Sequence, residues 1–149
     1  NTRGGETHQC GLWNEPTVLQ FYINSGEADS SLIEPAAFDR VEEVTRHRLD
    51  DMLPRAPIKL LKIDAEGAEP EVLQGASGLL PLCAHVIVGA GPERGANLDV
   101  TAPAVINYMV ARGFDVAQVD SARLVVAFRN RDPVSSAAGG QAVSTAAVS

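Results

Sequence analysis

Apolar and polar positions along this chain switch between a two-residue and a helical rhythm. Residues 17–23 set Val18, Phe21 and Ile23 among polar positions, as a half-buried strand does. Asn24-Ser25-Gly26 reads as a turn, residues 30–40 as loop and 41–47 as a second strand. Residues 49–53 predict a short helical turn, ended by Pro54 and Pro57. Residues 58–64 are an apolar run interrupted by Lys59 and Lys62, of the length of a buried strand. Helical spacing follows over 68–76, with Pro70 in the first turn, where a missing N–H costs little. Another buried strand is expected at 85–88. Thr101 is placed as N-cap of a helix over 102–112 that Gly113 stops. Residues 115–120 and 123–129 read as two strands joined at Ser121-Ala122. Alternating strands and helices with a closing hairpin predict an α/β fold with parallel pairing.

The strand over 58–64 ends in a burst of acid: Asp64, Glu66, Glu69 and Glu71, with Gly67 among them to allow a sharp turn. The acids therefore sit where a strand hands over to a helix, the edge at which open α/β sheets bind ligands. Asp64 at that edge suits a base that orients or deprotonates a hydroxyl, or a ligand to a divalent cation. It equally suits a cap of the next helix. Glu66 is a second candidate for base or cation ligand, or a solvated loop acid. Glu69 lies in the first helical turn, where the helix dipole alone favours an acid.

The same residues carry a family likeness. Lys62-Ile63-Asp64-Ala65-Glu66-Gly67-Ala68-Glu69, followed by Glu71-Val72-Leu73-Gln74-Gly75-Ala76, resembles the signature of FkbM-type S-adenosylmethionine-dependent methyltransferases. Leu49-Asp50-Asp51-Met52-Leu53, Ser30-Ser31-Leu32, Gly113-Phe114 and Val125 to Arg129 fit the flanks, so that the likeness spans roughly residues 8 to 131. It implies the C-terminal part of a Rossmann-like methyltransferase fold, a mostly parallel sheet closed by an antiparallel hairpin. The activity implied is O-methylation of a sugar or polyketide-type natural product with S-adenosylmethionine as methyl donor. Catalysis falls to Asp64 and Glu66, with a divalent cation between them as an open alternative. Glu69, Glu93, Arg94 and His47 are the candidates for substrate contact. The family's glycine-rich cofactor loop has no counterpart before Ile58, so the cofactor-binding residues are expected upstream of Asn1 and the chain is read as a fragment.

Composition narrows the partners. With 149 residues and 45% hydrophobic positions, one globular domain is expected over residues 1–132. Residues 133–149, rich in Ala, Ser, Gly and Val, suit a disordered tail. A net charge of −7 argues against nucleic acid as a partner. No apolar run approaches the ~18 residues of a membrane span. The two cysteines, Cys10 and Cys83, suit free thiols in a reducing, cytoplasmic setting. A half-sheet would leave a bare strand edge, so a homo-oligomer is a further expectation.

Two other readings compete. His85-Val86-Ile87-Val88-Gly89-Ala90-Gly91 resembles the start of a dinucleotide fold, the mark of an FAD- or NAD-binding oxidoreductase fragment. Arg94 at the third glycine position and the polar stretch 93–100 count against it. In FkbM-type proteins an acid usually follows this strand; Gly89 and Ala90 stand there instead. The other alternative is a non-catalytic remnant that folds or binds a partner.

Overall fold

The structure is a computed structural model that describes residues 7–24 and 30–134, together with the backbone of Ser144–Val148. The chain is α/β, built on two mixed sheets. The smaller contains β1 (Gly11–Leu12), β2 (Thr17–Ile23) and β3 (Arg40–His47) in the order β1-β3-β2. Strand β2 runs antiparallel to β3 in the register Thr17 opposite Arg46, and β1 runs parallel to β3. Helix α1 (Leu49–Met52) leads to the larger sheet.

That sheet holds β4 (Ile58–Ile63), β5 (Cys83–Gly89), β6 (Phe114–Asp120), β7 (Val125–Asn130) and β8 (Ser144–Val148) in the order β6-β7-β5-β4-β8. Two crossovers carry helices, α2 (Glu69–Gly75) between β4 and β5 and α3 (Ala102–Ala111) between β5 and β6. The pairs β4–β5 and β4–β8 are parallel, and β5–β7 and β6–β7 antiparallel. The expected hairpin is present. The expected mostly parallel sheet is not, because β7 meets β5 antiparallel and splits the ladders evenly.

Apolar periodicity explains the core. Ile58, Leu61 and Ile63 of β4 are buried between exposed Lys59 and Lys62. They meet Val72 and Leu73 of α2, Val86 and Val88 of β5, and Val105 and Met109 of α3 in one cluster with Phe114, Val126 and Phe128. Each such side chain contributes about 1.5–3 kcal/mol on burial. Helix α2 carries Pro70 in its first turn as expected. Gly75 is required by close approach: a Cβ there would stand 2.0 Å from the Trp13 carbonyl oxygen, so α2 lies against the chain after β1.

Two expectations change. Thr101 precedes α3 but makes no side-chain cap; its hydroxyl is used elsewhere. Residues 144–148, expected in a disordered tail, form β8 against β4. The bare edge of β4 thus finds a partner within the chain, which removes the reason given above for self-association through that strand. The rest of the proposed tail, 135–143 and 149, and Ser25-Gly26 of the expected turn lie outside the described residues. Among the described residues no helix is long and apolar enough to cross a membrane.

Candidate active site at the ends of β4 and β5

Strand β4 delivers Asp64 to the carboxyl edge of the sheet, beside the end of its parallel neighbour β5. Lys62 donates to Asp64 Oδ2 at 2.5 Å, and the Asp64 side chain is 41% exposed. Its Oδ1 lies against Gly89, where a Cβ would come within 2.5 Å. Gly89 therefore makes room for the Asp64 carboxylate. It stands where an acid was expected, and this contact is what the glycine supplies. Among the described residues Asp64 Oδ1 accepts no hydrogen bond.

The turn after Asp64 is held by several independent contacts. Glu66 and Gly67 take φ of 46° and 92°. The left-handed region costs a non-glycine residue about 1–2 kcal/mol. The hydroxyl of Ser31 donates to the Glu66 carbonyl at 2.8 Å and fixes that conformation. Gly67 cannot be replaced, because a Cβ would meet Arg94 Cα at 2.6 Å.

Glu69 does not face a pocket. It is fully buried. Its Oε1 accepts the N–H groups of Ala65 at 3.1 Å and Gly67 at 3.0 Å, and its Oε2 accepts the Thr101 hydroxyl at 3.0 Å. It builds the acidic turn and ties it to the start of α3, a use the sequence did not suggest.

Arg94 is likewise engaged. It donates to both oxygens of Glu71 at 2.8 and 2.7 Å and to the Gly67 carbonyl at 2.7 Å. The Glu71 hydrogen bonds hold the guanidinium above its ordinary range, against the opposing effect of burial. Arg94 thus clamps the loop after β5 onto the acidic turn. Glu93 is exposed, with its carboxylate folded back toward Gly91. Asp64, Glu66, Glu69, Glu93 and Arg94 therefore gather at one strand edge.

His47 does not join them. It is exposed and lines a separate hollow of about 490 Å³ with His8, Cys10 and Met52. Among the described residues no group of three or more His, Cys, Asp or Glu side chains is placed to hold a metal ion.

Thr101, Ser31 and Glu71 were each visible in the sequence, as an expected N-cap, as part of the Ser-Ser-Leu segment and as one of the clustered acids, but not in the roles they play here. Asp50, read only as part of a flanking segment, accepts the N–H groups of Gly78 and Leu79 and pins α1 to the chain after α2.

A family model described as the methyltransferase FkbM domain matches residues 1–116. The chain belongs to that family. No curated protein and no solved structure matches it. The match contains the whole acidic turn, its clamp Arg94 and both crossover helices, and ends inside β6.

Methyltransferases of this kind imply S-adenosylmethionine, an adenosine bearing a carboxylate. Anions of cofactors are commonly held by open backbone N–H groups at a strand end facing a helix. In this FkbM-family chain several of those groups are occupied. Ala65 and Gly67 donate to Glu69, Ala90 to the Leu124 carbonyl, Arg94 to Asp99 and Thr101 to Gly91. These five donors are not open to a cofactor carboxylate. The same closure disfavours a dinucleotide at the loop after β5, since α3 begins only at Ala102.

Proposed function

We propose that this FkbM-family chain supplies the acceptor side of an S-adenosylmethionine-dependent O-methyltransferase site, within a Rossmann-like fold. The observation that carries the reading is Asp64. Its Oδ2 is tethered by Lys62, its Oδ1 is without a hydrogen bond among the described residues and lies against Gly89, and the side chain stays partly exposed. Such a carboxylate can take the hydroxyl proton as the hydroxyl oxygen accepts a methyl group, which a sulfonium donor would give up by breaking its carbon–sulfur bond to leave a thioether. Lys62 restricts its rotamers, and the Glu69–Thr101 and Arg94–Glu71 contacts hold the turn that carries it. Glu66, on the same turn, assists. The acceptor is a hydroxyl of a sugar or polyketide-type natural product, and unpaired Cys10 and Cys83 accord with a cytoplasmic setting. The closed backbone donors favour one second reading, a non-catalytic module that only folds or binds a partner.

The test uses the protein expressed from its complete reading frame and follows labelled methyl transfer to hydroxyl acceptors. Asp64→Asn should lower turnover by about 10²–10⁴ with cofactor affinity and melting temperature unchanged. Wild-type turnover in that variant sinks the assignment of Asp64. Transfer to no acceptor by the wild-type protein favours the non-catalytic module. A chelator that abolishes turnover, with Glu66→Gln as damaging as Asp64→Asn, replaces the base by a cation site.

A further inference from the structure

Arg46 of β3 is 1% exposed, and among the described residues its Nε, Nη1 and Nη2 have no hydrogen-bond partner. The guanidinium stands 4.3 Å from the centre of the Trp13 ring. Gly11 admits it, since a Cβ there would already be 3.1 Å from Arg46 Cγ. Glu71 is the acid whose charge it feels, and both Glu71 oxygens are bound by Arg94. Stacking on Trp13 offsets part of the charge but satisfies none of the five N–H donors. Leaving a buried guanidinium unpaired is among the costlier arrangements a fold can keep.

A shallow pocket of about 250 Å³ opens beside it. Arg46, Leu19, Leu32, Gln20, Tyr22 and Glu43 are among its walls. We infer that this pocket binds a small oxyanion, a carboxylate or a phosphate, with the Arg46 guanidinium as its cation. The planar fork of arginine matches either group with two parallel hydrogen bonds. The volume suits a fragment-sized ligand. Glu43 adds a negative charge to the walls, so the ligand brings its anion to the Arg46 end and leaves a neutral remainder against Leu19 and Leu32. Arg46 lines the pocket while its nitrogens are out of solvent, so contact takes a side-chain adjustment of the kind common on binding. None of these residues belongs to the Asp64 site, and the inference does not depend on methyl transfer.

Trp13 is the single tryptophan of the sequence and stacks on the residue in question, so its emission reports the site directly. The full chain is titrated with sodium phosphate and, separately, sodium acetate, against sodium chloride at equal ionic strength. The expected result is a saturable change in emission with at least one anion, and which one saturates names the class. Affinity should fall at least roughly tenfold in Arg46→Gln. It should fall severalfold in Arg46→Lys, which keeps the charge and loses the fork. No saturation by either anion overturns the inference. So does equal affinity in Arg46→Lys, which decides the matter even where Arg46→Gln does not fold. No methyl donor is present, so failure here is separate from failure of the methyltransferase reading.

Discussion

Glu69→Ala and Glu69→Gln together decide whether the buried acid builds the site or works in it. Glu69 is fully buried and accepts from Ala65, Gly67 and Thr101. Hydrogen bonds to a charged group contribute about 1.5–3 kcal/mol each. They are not additive, and water would enter the vacated space, so Glu69→Ala should cost about 3–5 kcal/mol. For a domain of this size that is a fall of about 10–15 °C in Tm. Glu69→Gln should behave differently. Its carbonyl oxygen still accepts both N–H groups, and its amide faces a Thr101 hydroxyl that can rotate to accept. The expected cost is about 1 kcal/mol, a few degrees in Tm. The assays are thermal melts by circular dichroism and methyl transfer by the protein from its complete reading frame. Glu69→Gln should keep most of its turnover. A fall of about 10²–10⁴ with an intact melt would show that Glu69 acts on substrate or proton and would refute the structural role.

Gly89→Ala should act on Asp64 without acting on the fold. The added methyl stands 2.5 Å from Oδ1, the tip of a side chain that can swing away. Turnover should drop at least roughly tenfold, since small misplacements cost heavily, with Tm within about 4 °C; unaltered turnover would remove Asp64 from the chemistry. Ending the chain after Val134 deletes β8 and bares the edge of β4. Light scattering should then show more association than in the full chain, and a truncated chain that associates no more than the full one would show that β8 does not protect that edge. Burial pushes the Cys83 thiol from 9.0 up to about 12. A raised acid pKa stabilises the fold fully below the unfolded value and less as pH climbs toward the folded one. The urea midpoint should therefore decline between pH 9 and 12, and less so in Cys83→Ala; identical declines in the two chains would contradict this.

The unit from β4 through α2 to β5 was legible because its signals are local. An apolar run, an acidic turn with one glycine and a helical spacing are adjacent in the chain, and each has a physical cause within a few residues. What stayed hidden depends on partners far away. Glu69 in a first helical turn looks the same whether it faces solvent, substrate or core. Its inward role follows from Thr101, which arrives from the start of another helix. Gly89 read as a missing acid because only the parallel register of β4 and β5 brings it to Asp64. Strand β8 was illegible for a related reason. Ser-Thr-Ala-Ala-Val has weak strand preference, and pairing is dictated by the open backbone of β4. The antiparallel pairing of β7 with β5 likewise sets sheet polarity beyond the reach of residue order.

The charges at the strand edge divide by exposure, and that division supports a working site over a surface accident. Glu69 is sealed and saturated, and Glu71 and Arg94 neutralise each other in a two-pronged pair. These three side chains hold a turn that contains a residue in the left-handed region, which would relax without them. Asp64 is treated differently. It is left partly exposed, with one oxygen anchored and the other given room by a glycine. A fold that needed only a capped helix would gain nothing from that second oxygen. Strain held by buried contacts beside an accessible carboxylate is the arrangement that acid–base chemistry needs, because the base must be fixed in position before the hydroxyl arrives. The unpaired Arg46 belongs to the same logic on the other sheet: a group kept costly and waiting, where a hydrophobic side chain would have been the simpler filling.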